Sequence, residues 1–126
     1  MNTRIQEWLK QSEYDLNTAE FMYSGGRCFY AAFMCHLAIE KSLKGLFLSK
    51  LQEVPPKTHN LIYLLDKIGT RPDENVGKFV AKLNEVSIAT RYPEDVEKLQ
   101  KIFTDIVTKQ IISQTKETLE WINKQF

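Results

Sequence analysis

Three polar residues of one predicted helix have types and spacing suited to contacting a charged ligand. His36, Glu40 and Lys44 follow one another at four-residue steps in an otherwise apolar stretch, and Lys41 lies beside them. Residues four apart share a face of an α-helix, so an imidazole, a carboxylate and an ammonium line up. Two interpretations stay open. One is a self-contained row of hydrogen bonds and an ion pair at the edge of the core, and the other is a surface that contacts an anion or a nucleotide.

Two further candidate segments lie at predicted breaks between helices. Arg91-Tyr92-Pro93 brings a guanidinium and a phenol to a forced bend, and the carboxylates of Glu94 and Asp95 follow. Loops on a rigid scaffold often hold binding residues; the alternative is that Tyr92 packs on the end of the bundle while Arg91 pairs with an acidic neighbour. Lys57-Thr58-His59-Asn60 is typical of a helix cap, and the alternative is that His59 contacts a ligand.

Metal and nucleophile patterns are absent from the sequence. There is no Cys-x-x-Cys pair, no His-Glu-x-x-His and no glycine-rich phosphate loop. The two histidines lie in different segments without cysteine or carboxylate at matching spacing, so neither a metal nor a cofactor is expected. Cys28 and Cys35 lie about 10 Å apart along one predicted helix, too far for a disulfide, which favours a cytoplasmic protein with free thiols.

The charge balance limits the ways in which the chain could bind nucleic acid. Seventeen basic and sixteen acidic residues give a net charge of +1, which excludes a protein held to nucleic acid mainly through many phosphate contacts. Between positions 41 and 71 there are six basic residues and two acidic ones. These residues either form a local basic patch or lie on ordinary helix faces exposed to solvent. The most apolar stretch, residues 28–39, is too short to span a membrane.

The elements that must position these residues are all predicted to be helices. Five glycines and four prolines separate stretches of helical periodicity, which predicts one domain, 1–126, folded as an antiparallel up-and-down bundle of four long helices and one short helix. The second helix is apolar nearly all round and should form the centre of the packing. The predicted helices run from Arg4 to Ser24, Arg27 to Leu51, Asn60 to Ile68, Asp73 to Thr90, and from a start between Glu94 and Thr104 to Lys124.

Local signals predict how these helices begin and which side chains they bury. Thr58 is the predicted cap of the short helix. Pro93 is the predicted break before the last helix. That last helix has these predicted inward residues: Leu99, Ile102, Phe103, Ile106, Ile111, Leu119 and Ile122.

Three runs in the chain, taken in order, resemble a HEPN domain: AIEKSLKGL at 38–46, THNL at 58–61 and RYP at 91–93. The resemblance covers nearly the whole chain. It implies a compact helical bundle that is commonly a homodimer and, in prokaryotes, is often encoded beside a minimal nucleotidyltransferase as a toxin–antitoxin-like pair. It also implies a relation to RNA-cleaving toxins, whose arginine and histidine lie about four to six residues apart and meet across a dimer interface to perform general acid–base chemistry.

This chain departs from the nuclease pattern of the family. Arg91 stands where the family's arginine would be, but residues 92–98 contain no histidine, and Arg27 and His36 are too far apart in sequence to replace the pair. The resemblance therefore implies a dimeric module that binds a nucleotide or accompanies a nucleotidyltransferase. Arg91 is its one catalytic candidate, and the ligand-binding candidates are His36, Glu40, Lys41, Lys44, His59, Arg91 and Tyr92.

Two alternatives to that function stay open. One is an RNA-cleaving toxin in which Tyr92 or His59 assists Arg91. The other is a purely structural interaction module whose polar stripe only stabilises the fold.

Overall fold

The computed structural model describes residues 2–92 and 94–126, and within these ranges the chain is helical, with no strand. The predicted all-α fold is confirmed. The predicted break at Pro93 lies outside the described residues. The helices are α1 (Thr3–Ser24), α2 (Cys28–Leu51), α3 (Leu61–Ile68), α4 (Glu74–Arg91), α5 (Val96–Ile102) and α6 (Asp105–Asn123).

Most of these helices begin at a side chain that accepts a hydrogen bond from a backbone N–H of the first turn. Such caps satisfy amide groups that have no partner inside the helix. The predicted cap at Thr58 is wrong, because the Oδ1 atom of Asn60 accepts the N–H of Tyr63 at 3.1 Å, while Thr58 accepts the N–H of Asn60, which precedes the helix. The caps are Asn2, Asn60, Asp73, Asp95 and Thr104.

The predicted last helix is divided into α5 and α6. Thr104 caps α6 by accepting the N–H of Val107 at 3.3 Å, so helical hydrogen bonding restarts there. The interruption shifts the angular position of the residues around it. Ile102 and Ile106, predicted to face inward, are therefore 49% and 70% exposed, whereas Phe103 is buried.

The second helix is the centre of the packing, as predicted, since α2 contacts each of the other five helices. Its antiparallel pairing with α1 is close. Ser12 donates to the carbonyl oxygen of Ala38 at 2.7 Å, and Lys41 pairs with Asp15 at 3.2 Å. A Cβ atom at Gly45 would lie only 3.2 Å from the Cβ of Trp8, so glycine allows the two backbones to approach.

The helices alternate in direction around α2. The last residue of α4, Arg91, lies over Phe33 near the start of α2, so α4 runs antiparallel to α2. Lys116 of α6 pairs with Glu20 near the end of α1, and Asp105 at the start of α6 accepts a hydrogen bond from Tyr23. No helix among the described residues is long and apolar enough to cross a membrane.

Candidate functional site

Glu40 is a buried carboxylate in the middle of α2 with two hydrogen-bond donors. Its side chain is 3% exposed; Lys44 Nζ donates to Oε2 at 3.1 Å, and His59 Nδ1 lies 2.8 Å from Oε1. Burial alone would raise the pKa of Glu40, but the hydrogen bond from His59 and the charge and hydrogen bond of Lys44 outweigh it and lower the pKa. Glu40 is therefore ionised at neutral pH.

His36 lies one turn before Glu40 and is fully buried. Burial lowers its pKa to about 4, so the imidazole is neutral at neutral pH. Its Nε2 lies 2.9 Å from the carbonyl oxygen of His59, an acceptor, so Nε2 carries the proton and donates. His36 Nδ1 has no hydrogen-bond partner within the described ranges, and its 3.9 Å distance to Glu40 Oε1 is too long for a hydrogen bond.

His59 is held at two points by these buried residues of α2. His36 binds its backbone carbonyl, and Glu40 binds its ring through Nδ1. Since the carboxylate accepts the Nδ1 proton, the neutral ring keeps a lone pair on Nε2. The side chain is 56% exposed. A surface histidine is thereby fixed in orientation and tautomer by groups from inside the bundle.

Arg91 lies across a small pocket from His59. The pocket has a volume of about 200 Å³ and is also lined by Asn84 and Tyr92. The guanidinium carbon of Arg91 lies 4.9 Å from the ring centroid of Phe33, within cation–π range. Its Nη2 atom is buried without a hydrogen-bond partner among the residues that the structure describes.

Asn84 connects the two sides of this pocket. Its Oδ1 accepts the backbone N–H of Leu61 at 2.8 Å, and its Nδ2 donates to Asn60 Oδ1 at 3.2 Å. The start of α3, and with it His59, is thus tied to α4. Sequence reasoning missed Asn84 and Phe33. The polar positions Asn84, Ser87 and Arg91, at helical spacing on α4, are a signal that points to the first of them.

The structure brings most of the sequence-predicted residues together. His36, Glu40 and Lys44 are 0%, 2% and 7% exposed, so this row supports His59 from inside the bundle. Tyr92 is 71% exposed and lines the pocket with His59 and Arg91. Lys41 alone is directed elsewhere, because its ammonium pairs with Asp15 of α1.

Comparison with known proteins places the chain in a family. The model of the HEPN domain matches residues 5–125. The chain belongs to the HEPN domain family. No curated protein matches this HEPN domain.

Two solved structures resemble it. TT1696 from Thermus thermophilus is 22% identical to this chain, with a TM-score of 0.82. The match covers 99% of this chain and 100% of the TT1696 chain.

The second similar structure is ST0689, described as an archaeal HEPN homologue. It is 25% identical with a TM-score of 0.77, covering 98% of each chain. The resemblance to HEPN domains expected from the three sequence runs is confirmed, as is the helical bundle. The runs at 38–46, 58–61 and 91–93 supply Glu40, His59 and Arg91, which surround the pocket or support it.

Proposed function

We propose that this HEPN domain binds a nucleotide in the pocket between His59 and Arg91. The observation that carries the proposal is the guanidinium of Arg91, which lines the pocket and whose Nη2 atom has no acceptor in the described part of the chain. A buried N–H group without an acceptor is costly. A phosphate is the ligand whose oxygens match the planar fork of a guanidinium, and hydrogen bonds between two charged groups are among the strongest.

The other pocket residues suit the remaining parts of a nucleotide. The volume of about 200 Å³ is below the range of roughly 300–1,000 Å³ typical of whole ligands, so the pocket fits the phosphate and sugar and leaves the base outside. Tyr92, 71% exposed at the rim, offers a ring on which a base can stack. His59 Nε2 can accept a hydrogen bond from a sugar hydroxyl.

The test is isothermal titration calorimetry of the purified protein with AMP and ATP. Replacing Arg91→Ala removes the charged hydrogen bonds and should weaken binding about tenfold or more. Arg4→Ala is the matched control, because Arg4 is an exposed arginine of α1, remote from the pocket. Binding that is undetectable for the unaltered protein, or equally weakened by both substitutions, would contradict the proposal.

We also propose that the domain acts as a homodimer beside a minimal nucleotidyltransferase in a toxin–antitoxin-like system. The support is the family resemblance, together with Ile88 and Tyr92, which are 64% and 71% exposed apolar side chains next to the pocket. Light scattering on the purified chain tests the dimer. Co-purification from the native host followed by mass spectrometry tests the partner. A monomer recovered without a nucleotidyltransferase would contradict both parts.

RNA cleavage is the second candidate function, and the bond between Glu40 and His59 favours it. At 2.8 Å, the carboxylate orients the imidazole as the aspartate does in a Ser-His-Asp triad. His59 would take the proton of a ribose 2′ hydroxyl as general base, and the 2′ oxygen would attack phosphorus while the bond to the 5′ oxygen breaks and that oxygen takes a proton from water. Arg91 would stabilise the charge that develops on the phosphate.

A cleavage assay separates this second function from binding alone. His59→Ala should abolish cleavage of a labelled RNA, because the general base is needed for the reaction, but should weaken nucleotide binding by about tenfold or less, the loss of one hydrogen bond to a sugar hydroxyl. Expression of the unaltered protein should also arrest growth, and Arg91→Ala should relieve the arrest. RNA that stays intact with the unaltered dimer would restrict the protein to binding.

A further inference from the structure

A second cavity lies on the opposite face of α2 from the His59–Arg91 pocket. It has a volume of about 580 Å³ and opens between α1 and α6, with Ser42 of α2 at its floor. Positions 40 and 42 are about 200° apart around a helix, so Glu40 and Ser42 face opposite sides. The apolar walls are formed by Leu9, Leu16, Leu119 and Phe126. A largely apolar lining with a few polar groups is typical of small-molecule sites.

The hydroxyl of Ser42 is buried and lacks a hydrogen-bond partner in the described ranges. A helical serine or threonine usually donates to the carbonyl four residues earlier, as Thr115 donates to Ile111 at 2.7 Å. For Ser42 that carbonyl belongs to Ala38, and it already accepts Ser12 Oγ at 2.7 Å. It also accepts the helical N–H of residue 42. Both lone pairs of the Ala38 oxygen are used, so the hydroxyl of Ser42, a residue of the cavity lining, lacks the acceptor that a helical serine usually has.

The rim of the cavity carries an excess of negative charge. Glu13 and Glu120 line it, and within the described residues neither forms an ion pair. Lys116 is the basic residue of the lining, and its ammonium is 3.5 Å from Glu20, a carboxylate outside the lining. The lining therefore carries two carboxylates and one ammonium, and this negative balance favours a bound cation over a bound anion.

We propose that the cavity between α1 and α6 binds a small amphipathic amine with a hydroxyl group at the end remote from the ammonium. The apolar body lies between the leucines of the two helices. The ammonium lies at Glu13 and Glu120, and the hydroxyl bonds Ser42 at the floor. This site is separate from the His59–Arg91 pocket and does not depend on the nucleotide-binding proposal.

Three matched probes test the chemistry of this cavity: tyramine, phenethylamine, which lacks the hydroxyl, and 3-(4-hydroxyphenyl)propionate, which replaces the ammonium by a carboxylate. Titrations of the full chain are followed by amide resonances of the cavity residues. Tyramine should bind about tenfold more tightly than the propionate because of the rim charge. Tyramine should also bind at least about threefold more tightly than phenethylamine, because it forms the hydrogen bond to Ser42.

Variants test the two polar contacts separately. Ser42→Ala should make tyramine and phenethylamine bind equally, and it should fold normally because it removes a hydroxyl without a protein partner. Ser113→Ala, an exposed serine of α6 outside the lining, is the control and should keep the difference. Glu13→Gln with Glu120→Gln should remove the preference for the ammonium.

Three results would overturn the proposal. The first is that no probe shifts the amide resonances of the cavity residues. A second copy of the chain that covers the cavity would give this result. The second is equal binding of tyramine and the propionate. The third is a tyramine preference that survives Ser42→Ala.

Discussion

Glu40 joins a buried lysine to a surface histidine, so its charge affects both stability and the geometry of the site. Glu40→Gln keeps the shape of the side chain but leaves the ammonium of Lys44, 8% exposed, without its carboxylate. Removing one partner of a buried ion pair should lower the free energy of unfolding by about 3 kcal/mol, measured by urea denaturation at pH 7.

The control for this substitution is an ion pair of the same spacing on the surface. Glu74 and Lys78 lie 2.9 Å apart, four residues apart on α4, with side chains 78% and 74% exposed. Glu74→Gln should change stability much less, since water screens exposed pairs. Equal losses in the two variants would show that burial of Glu40 contributes little.

His36 should make the protein less stable in mild acid. Its pKa is lowered to about 4 in the folded chain and is 6.5 without the fold, so between these values the unfolded chain binds more protons. Stability is therefore complete above pH 6.5 and is lost as the pH falls towards 4, by about 3 kcal/mol at full protonation. The lowered pKa of Glu40 acts in the same direction, since its stabilisation is lost as the carboxylate is protonated.

Urea denaturation at a series of pH values between 4 and 7.5 measures this loss. His36→Gln keeps a donor for the carbonyl of His59 but cannot titrate, so its stability should fall less steeply between pH 6.5 and 5. Glu40, His59 and Arg91 all face His36 and remain in the variant. An unchanged slope in His36→Gln would show that His36 is not the source of the acid sensitivity.

At the scale of the helices, Gly45 sets how closely α1 approaches α2. A Cβ at this position would lie 3.2 Å from the Cβ of Trp8 and 3.5 Å from Leu9 Cδ2, so a larger side chain must push α1 outward. Gly45→Leu should destabilise the protein by about 1–3 kcal/mol despite the better helix propensity of leucine. Thermal or urea denaturation measures the change.

Gly77→Leu is the matched control for this packing effect. Gly77 also lies within a helix, but among the described residues a Cβ there would meet just Pro72 Cγ, at the ordinary contact distance of 3.7 Å. Its substitution should leave stability unchanged or raise it by up to about 1 kcal/mol through helix propensity. Similar destabilisation of both variants would mean that close contact between α1 and α2 is not the cause.

Helix positions were predictable from the sequence to different extents. The first four predicted helices match α1–α4 to within one residue at each end, because glycines, prolines and capping side chains bound a clear apolar periodicity. The division between α5 and α6 was not predictable in the same way. Its signal is a single threonine, Thr104, inside a stretch that is apolar at helical spacing on both sides.

At the scale of the whole molecule, the sequence indicated most residues of the candidate site, Asn84 and Phe33 excepted, but not their arrangement. His36, Glu40 and Lys44 share a helix, so their alignment follows from spacing alone. The contact of Glu40 with His59 depends on how residues 52–60 return along α2, which no local pattern encodes. The position of Arg91 over Phe33 likewise depends on how α4 packs on α2.

The charge distribution of the folded molecule predicts a weak salt dependence for nucleotide or RNA binding. The net charge is +1, and two members of the local basic patch are neutralised, Lys41 by Asp15 and Lys44 by Glu40. In the proposed nucleotide complex, Arg91 is the main phosphate contact at the pocket. Each phosphate contact on a single strand contributes a slope of about −0.7 in a plot of log K against log salt concentration. We expect a slope of about −0.7 for a short labelled RNA, measured by fluorescence anisotropy across a KCl series, and a slope near zero for Arg91→Gln. A slope of about −4 or steeper for the unaltered protein would instead require an extended basic surface, on which exposed lysines such as Lys50 and Lys57 contact the backbone.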